Sequence, residues 1–150
     1  MTSAGGRAGS VGTEREPAGP LSMLVVEDDP FLAEAIARLF CRRGYIVRVT
    51  FSAAQAHQEV QEQPFDCAIV DIVLGDDEDG ISLASALLSA KRIRGAVFYS
   101  GVLHGETRRR AANLGVLVDK AARFEELAQA VERCTSGETV ATDGGPKEKI

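Results

Sequence analysis

Six residues at four separated places in this 150-residue chain could take part in one reaction: the consecutive acids Glu27, Asp28 and Asp29, then Asp71, Ser100 and Lys120. They amount to several carboxylates, one hydroxyl and one ammonium. Two like charges 4 Å apart repel by about 4 kcal/mol at an effective dielectric near 20. One lysine cannot neutralise such a group. Either some carboxyls keep their protons, or a cation sits among them. Hard oxygen ligands with room for water suit Mg²⁺, which commonly takes one or two carboxylates plus phosphate oxygens. A divalent ion beside a hydroxyl and a lysine is also the equipment for moving a phosphoryl group. In that chemistry Asp71 is the natural nucleophile for an acyl phosphate.

The chemistry requires the four places to meet, and two alternating apolar periods say how they do. Residues 23–26 form a short apolar strand that ends at the acids. Pro30 suits the first turn of a helix, with Asp28 or Asp29 as N-cap. Phe31, Leu32, Ala35, Ile36, Leu39 and Phe40 follow at helical spacing, and Gly44 ends the helix. A second strand over 46–50 leads to a more polar helix over 52–63, closed by Pro64. The third strand, 67–70, is apolar throughout and stops at Asp71; Ile81, Leu83, Ala84, Leu87 and Leu88 mark the helix after it. A fourth strand over 96–99 ends at Ser100, and a short helix is expected over 107–114. A fifth strand over 116–118 ends at Asp119 and Lys120, before a helix striped by Phe124, Leu127, Ala128 and Val131.

Strands alternating with helices make an α/β fold, a five-stranded parallel sheet with helices on both faces. The first and third strands read as continuous apolar runs, which places them centrally. Right-handed crossovers leave 2-1-3-4-5 as the commonest order. Ligands of such sheets bind at the carboxyl ends of the strands. All six residues stand there.

The composition suits a soluble globular domain, with 45% hydrophobic and 26% charged residues. The net charge of -5 argues against general nucleic-acid binding. No apolar stretch approaches 18 residues and no secretory h-region is present, so neither a membrane nor export is expected. Cys41, Cys67 and Cys134 show neither zinc-site spacing nor a disulfide framework, which fits the cytoplasm and small core side chains. Residues 1–20 and 136–150 lack periodic apolar residues and are expected as flexible tails around a domain over 21–135.

With these motifs in place, the chain resembles the receiver domain of two-component response regulators, which takes a phosphoryl group from a histidine kinase onto an aspartate. "LVVEDDP" resembles the family's first strand and acidic pair, "DCAIVDIVLG" its third strand, "AVFYSG" its fourth, and "LVDKAARFEEL" its fifth strand, lysine and last helix. The resemblance implies a flavodoxin-like receiver fold and Mg²⁺ as cofactor. It makes Asp71 the phosphoacceptor, with Ser100 and Lys120 contacting phosphoryl oxygens. Asp28 and Asp71 would bind the metal directly, Glu27 largely through water, and the Val73 backbone carbonyl would be a further ligand. Asp29 is left as a helix cap.

Several positions depart from the family pattern. Gly75 stands where a proline is usual, and Gly80 comes one residue late. The acidic run 76–79 lacks the ligand positions of a calcium loop and reads as solvated. Ala121 follows Lys120 where the family has a cis-proline; a non-proline cis bond costs roughly 3 kcal/mol, so a trans bond is expected, which puts the aim of Lys120 in question. Leu117 stands where a switch aromatic is usual, and Tyr99 reads as a strand aromatic packed on a helix. Neither His57 nor His104 has a metal-ligand partner at sensible spacing.

The leading expectation is a stand-alone, Mg²⁺-dependent phosphoacceptor with no separate enzymatic activity. Its partners would be a histidine kinase or phosphotransfer protein and a downstream protein, for which Arg108–Arg110 is the candidate contact. A pseudo-receiver that binds partners without phosphorylation is the alternative. A phosphohydrolase ranks last, because Val73 stands where its second aspartate would be.

Overall fold

The computed structural model describes residues 19–75 and 78–136. Nearly all of the expected tails, and Asp76 and Asp77 of the acidic run, lie outside the described residues. The strands are β1 (Ser22–Val26), β2 (Ile46–Thr50), β3 (Cys67–Val70), β4 (Ala96–Ser100) and β5 (Val116–Asp119). Between and after them run α1 (Pro30–Arg42), α2 (Ala53–Glu62), α3 (Gly80–Ser89), α4 (Gly105–Ala112) and α5 (Phe124–Thr135). All strand pairs are parallel, in the order β2-β1-β3-β4-β5, as the sequence pattern predicts.

Strand alternation divides the core into two layers. Leu24, Val26, Ala68, Val70, Ala96 and Phe98 face α2, α3 and α4, where Val60, Leu83, Leu87 and Ala111 pack. Met23, Val25, Cys67, Ile69, Val97 and Tyr99 face α1 and α5, where Ile36, Phe40, Leu127 and Val131 pack. Each such large side chain, fully buried, contributes roughly 1.5–3 kcal/mol. Over residues 23–26 and 67–70 the two central strands are therefore apolar on every residue, and carboxylates follow where they stop.

Register sets where that happens. Val26 pairs with Val70, so Glu27 and Asp71 follow as neighbours. Ser100 pairs with Asp119, so Lys120 emerges just past Ser100. The Lys120 N–H donates to the Ser100 carbonyl at 3.1 Å, which extends the ladder by one step.

Candidate phosphoacceptor and metal site

The turn between β1 and α1 divides its three acids by role. Asp29 is the N-cap, its Oδ1 accepting from the N–H groups of Phe31 at 3.0 Å and Leu32 at 3.4 Å. Pro30 fills the first turn, where a missing donor costs nothing. Glu27 is 2% exposed and Asp28 is exposed. The Asp29 N–H donates to Glu27 Oε2 at 3.1 Å and so orients that carboxylate. The cap thus fixes the turn and leaves Glu27 and Asp28 free for other bonds.

Asp71 is buried at the end of β3, its own N–H donating to the Val26 carbonyl at 3.0 Å. Asp71 Oδ1 accepts from the Val73 N–H at 3.3 Å. Lys120 Nζ lies 2.8 Å from Asp71 Oδ2 and 3.0 Å from Glu27 Oε1. Ser100, 1% exposed, turns its Oγ toward the Val102 N–H at 3.4 Å. Glu27, Asp28 and Asp71 each offer an oxygen within 4.8 Å of the others. Around an octahedral Mg²⁺, ligand oxygens stand roughly 3–4.2 Å apart. A small contraction would bring these three to that spacing, so the donor set fits the ion in chemistry and reach.

The electrostatics show the shortage of positive charge that the sequence implies. Burial raises the Glu27 carboxyl above its ordinary value, and the Asp71 charge adds to this; hydrogen bonds from the Asp29 N–H and Lys120 oppose it. Burial alone would lower Lys120, but its hydrogen bonds to Asp71 and Glu27 outweigh that and raise it. The ammonium is held in its charged form by acids it cannot fully neutralise.

Two glycines keep the loop after Asp71 close to the site. Gly75 has φ +84°, which the fixed ring of a proline cannot adopt, and a Cβ there would stand 3.3 Å from Asp28 Oδ2. A Cβ on Gly80 would overlap the Asp71 carbonyl oxygen, while the Gly80 N–H donates to the Ile72 carbonyl at 2.8 Å. Glu78 pairs with His57 at 3.0 Å, and Asp79 caps α3 through the Ser82 N–H at 2.7 Å. These two acids therefore have local partners.

The expected trans bond after Lys120 is present, and it does not misdirect the lysine. Asp119 supplies the reason: its Oδ1 accepts from the Ala121 N–H at 2.8 Å and its carbonyl from the Ala122 N–H at 2.9 Å. Such an Asx turn stabilises a tight bend without proline. In the sequence Asp119 marks only a strand end; the Asp-x-Ala run beside a missing proline is the signal for this turn. Tyr99 is buried, its ring 6.4 Å from that of Phe124, so it is core as read. Leu117 packs on the opposite layer. Arg108, Arg109 and Arg110 are exposed on α4, Arg109 pairing with Glu106 at 3.6 Å.

The family model named "Response regulator receiver domain" matches residues 23–132. Over 68 residues the chain is 38% identical to the TorCAD operon transcriptional regulatory protein TorR of Escherichia coli O157:H7. Over 72 residues it is 35% identical to the transcriptional regulatory protein GltR of Pseudomonas aeruginosa. These matches cover 45% and 48% of the chain but 29% of each relative, so less than a third of either regulator's length is represented. Its fold is similar to a response regulator receiver domain protein (CheY-like) from Methanospirillum hungatei JF-1, with a TM-score of 0.72 at 18% identity, covering 84% of this chain and all of that one. With a family model spanning most of its length and the sheet order and acidic edge to match, the chain belongs to the receiver domains of response regulators.

Proposed function

We propose that this domain accepts a phosphoryl group from a histidine kinase or phosphotransfer protein onto Asp71, with Mg²⁺ held by Glu27, Asp28, Asp71 and the Val73 carbonyl. The observation that carries this reading is the bridging of Asp71 and Glu27 by Lys120 Nζ, at 2.8 and 3.0 Å, inside a three-carboxylate cluster. An Asp71 carboxylate oxygen attacks the phosphorus of a phosphohistidine in line; the new P–O bond forms as the P–N bond breaks, and the imidazole leaves. When bound, Mg²⁺ neutralises charge on the phosphoryl oxygens. Lys120 transfers its hydrogen bonds from Asp71 to a phosphoryl oxygen, and Ser100 offers its hydroxyl to another. The protein catalyses nothing beyond its own phosphorylation and dephosphorylation.

Three exposed apolar side chains support docking of such a donor at this edge: Phe31 at the start of α1, Phe51 after β2 and Val73 beside Asp71, exposed by 86%, 42% and 57%. The reading places the domain in the cytoplasm, and among the described residues no helix is long and apolar enough to cross a membrane. Output would pass to a protein partner through the arginines of α4.

Acetyl phosphate with Mg²⁺ should add one phosphoryl group, seen by intact mass, and Asp71→Asn should block it. The pseudo-receiver reading is favoured by one observation, the packed Leu117 in place of a mobile aromatic. No mass gain with acetyl phosphate or with any histidine kinase would decide for it.

A further inference from the structure

Far apart in sequence, Cys67 and Cys134 meet at the end of the sheet opposite the acids. Cys67 opens β3 and is fully buried; Cys134 lies in the last turn of α5, packed half-buried on the same core layer. Its Sγ rests on Gly95, where any Cβ would overlap it. Both are free thiols, and Gly95 lies beside Cys67 in the sheet, its carbonyl accepting from the Ala68 N–H at 3.0 Å, so the sulfur resting on Gly95 is next to Cys67 on the same core layer. On its outer side Cys134 lines a pocket of about 120 Å³ with Leu21, Asp66, Arg94 and Thr135. A water occupies about 30 Å³ of liquid, so a molecule of hydrogen peroxide's size can enter.

We propose that Cys67 and Cys134 form a reversible oxidation site, in which a hydroperoxide entering this pocket converts them to a disulfide that fastens the end of α5 to the start of the central strand. The division of labour is set by the environment. The hydrogen bond from Cys67 holds Cys134 below the ordinary thiol value; the same bond, together with burial, pushes Cys67 well above it. Cys134, which lines the pocket while Cys67 is fully buried, therefore supplies the thiolate. It attacks one peroxide oxygen: an S–O bond forms, the O–O bond breaks, and the departing oxyanion takes up a proton. The Cys67 sulfur then displaces hydroxide from the sulfenic acid: the S–S bond forms, the S–O bond breaks, and the Cys67 proton leaves with the hydroxide as water. Two electrons pass from the thiols to the peroxide, and a dithiol reductant returns them.

The test uses the full chain with Cys41→Ser, which removes the exposed thiol on α1. Brief exposure to hydrogen peroxide, quenching and alkylation should give a loss of two hydrogens and a linked Cys67–Cys134 peptide. The melting temperature should rise by several degrees, and dithiothreitol should reverse both changes. Cys134→Ser should abolish the link, and Cys67→Ser should leave oxygenated Cys134 instead. Because serine in the core can unfold the chain, the link is also timed in urea, where it should form roughly tenfold more slowly for want of the native approach. No linked peptide in the native protein, Cys134 oxygenated while Cys67 remains alkylatable, or equal rates in native and unfolded chains would each overturn the proposal.

Discussion

Replacing Lys120 with glutamine should weaken the fold and tighten Mg²⁺ binding at once. The ammonium bridges two acids that are each no more than 5% exposed. Removing one partner of a buried charge pair costs about 3–5 kcal/mol. The Lys120 side chain is 29% exposed, so water follows the loss and about 2 kcal/mol is expected. For a domain of this size that lowers the melting temperature by roughly 6–10 °C in EDTA. For the metal the sign reverses. Lys120 lies 2.8 and 3.0 Å from two of the carboxylates that would hold the ion. For charges of 2+ and 1+ about 5 Å apart (roughly one such contact plus one metal–oxygen bond) the repulsion is roughly 1.7 kcal/mol even at the dielectric of water. Relief of that repulsion is at least about a tenfold gain in affinity. Calorimetric Mg²⁺ titration of the wild type, Lys120→Gln and the charge-conserving Lys120→Arg checks it, with thermal melts confirming that each is folded. Equal or weaker affinity in folded Lys120→Gln would show that ammonium and ion do not compete, and the assignment of the acidic cluster as the metal site would fail.

Other perturbations probe single parts of this arrangement. Because Glu27 is raised above 4.5 in the folded chain, its contribution favours the fold below pH 4.5 and is lost as pH climbs through the raised value; Glu27→Gln should flatten the stability–pH curve just above 4.5, and an unchanged slope in EDTA melts would contradict the burial argument. Lys120, raised above 10.5, stabilises fully below that pH and loses its contribution as pH rises past its folded value. Gly80→Ala should cost roughly 1–3 kcal/mol and shrink the Mg²⁺-induced melting shift, since the Asp71 backbone must move; a wild-type melt and shift would refute the contact. Asp29→Ala should cost about 1 kcal/mol of stability while leaving Mg²⁺ affinity within about a factor of two, so a large affinity loss by calorimetry would mean Asp29 does more than cap.

The sheet order was readable because the central strands run apolar without a break over residues 23–26 and 67–70, whereas Arg48 and Thr50 interrupt β2 at the edge. The convergence of Glu27, Asp28, Asp71, Ser100 and Lys120 was readable for a related reason: each stands at or within two residues of the end of a buried run, and parallel register brings such ends together. What sequence could not supply was local turn chemistry and contact across layers. The choice between Asp28 and Asp29 as cap rests on side-chain geometry that either residue could have adopted. The meeting of Cys67 with Cys134 depends on where α5 ends over the sheet and on Gly95 leaving room for a sulfur. No periodicity carries that information.

The departures from the family pattern fall into two kinds, and the difference bears on what the domain retains. At Gly75 the left-handed backbone replaces a proline turn and keeps the loop beside Asp28. At Ala121 the bend lost with proline is rebuilt by Asp119, and Lys120 still reaches both acids. Near the acids, the bend is thus held at Gly75 by the glycine's own backbone and at Ala121 by a neighbouring carboxylate. Leu117 has no such counterpart. It fills the α4-side layer with an aliphatic side chain, and Tyr99 is packed against Phe124 in the other layer, so neither can report events at Asp71 by a large rotation. Substitution has therefore been buffered where phosphoryl chemistry would occur and left unbuffered where a ring swing would carry the signal outward. Under the proposed function, phosphorylation at Asp71 would reach a partner on α4 without the swing of an aromatic on β5, because Leu117 stands in that place.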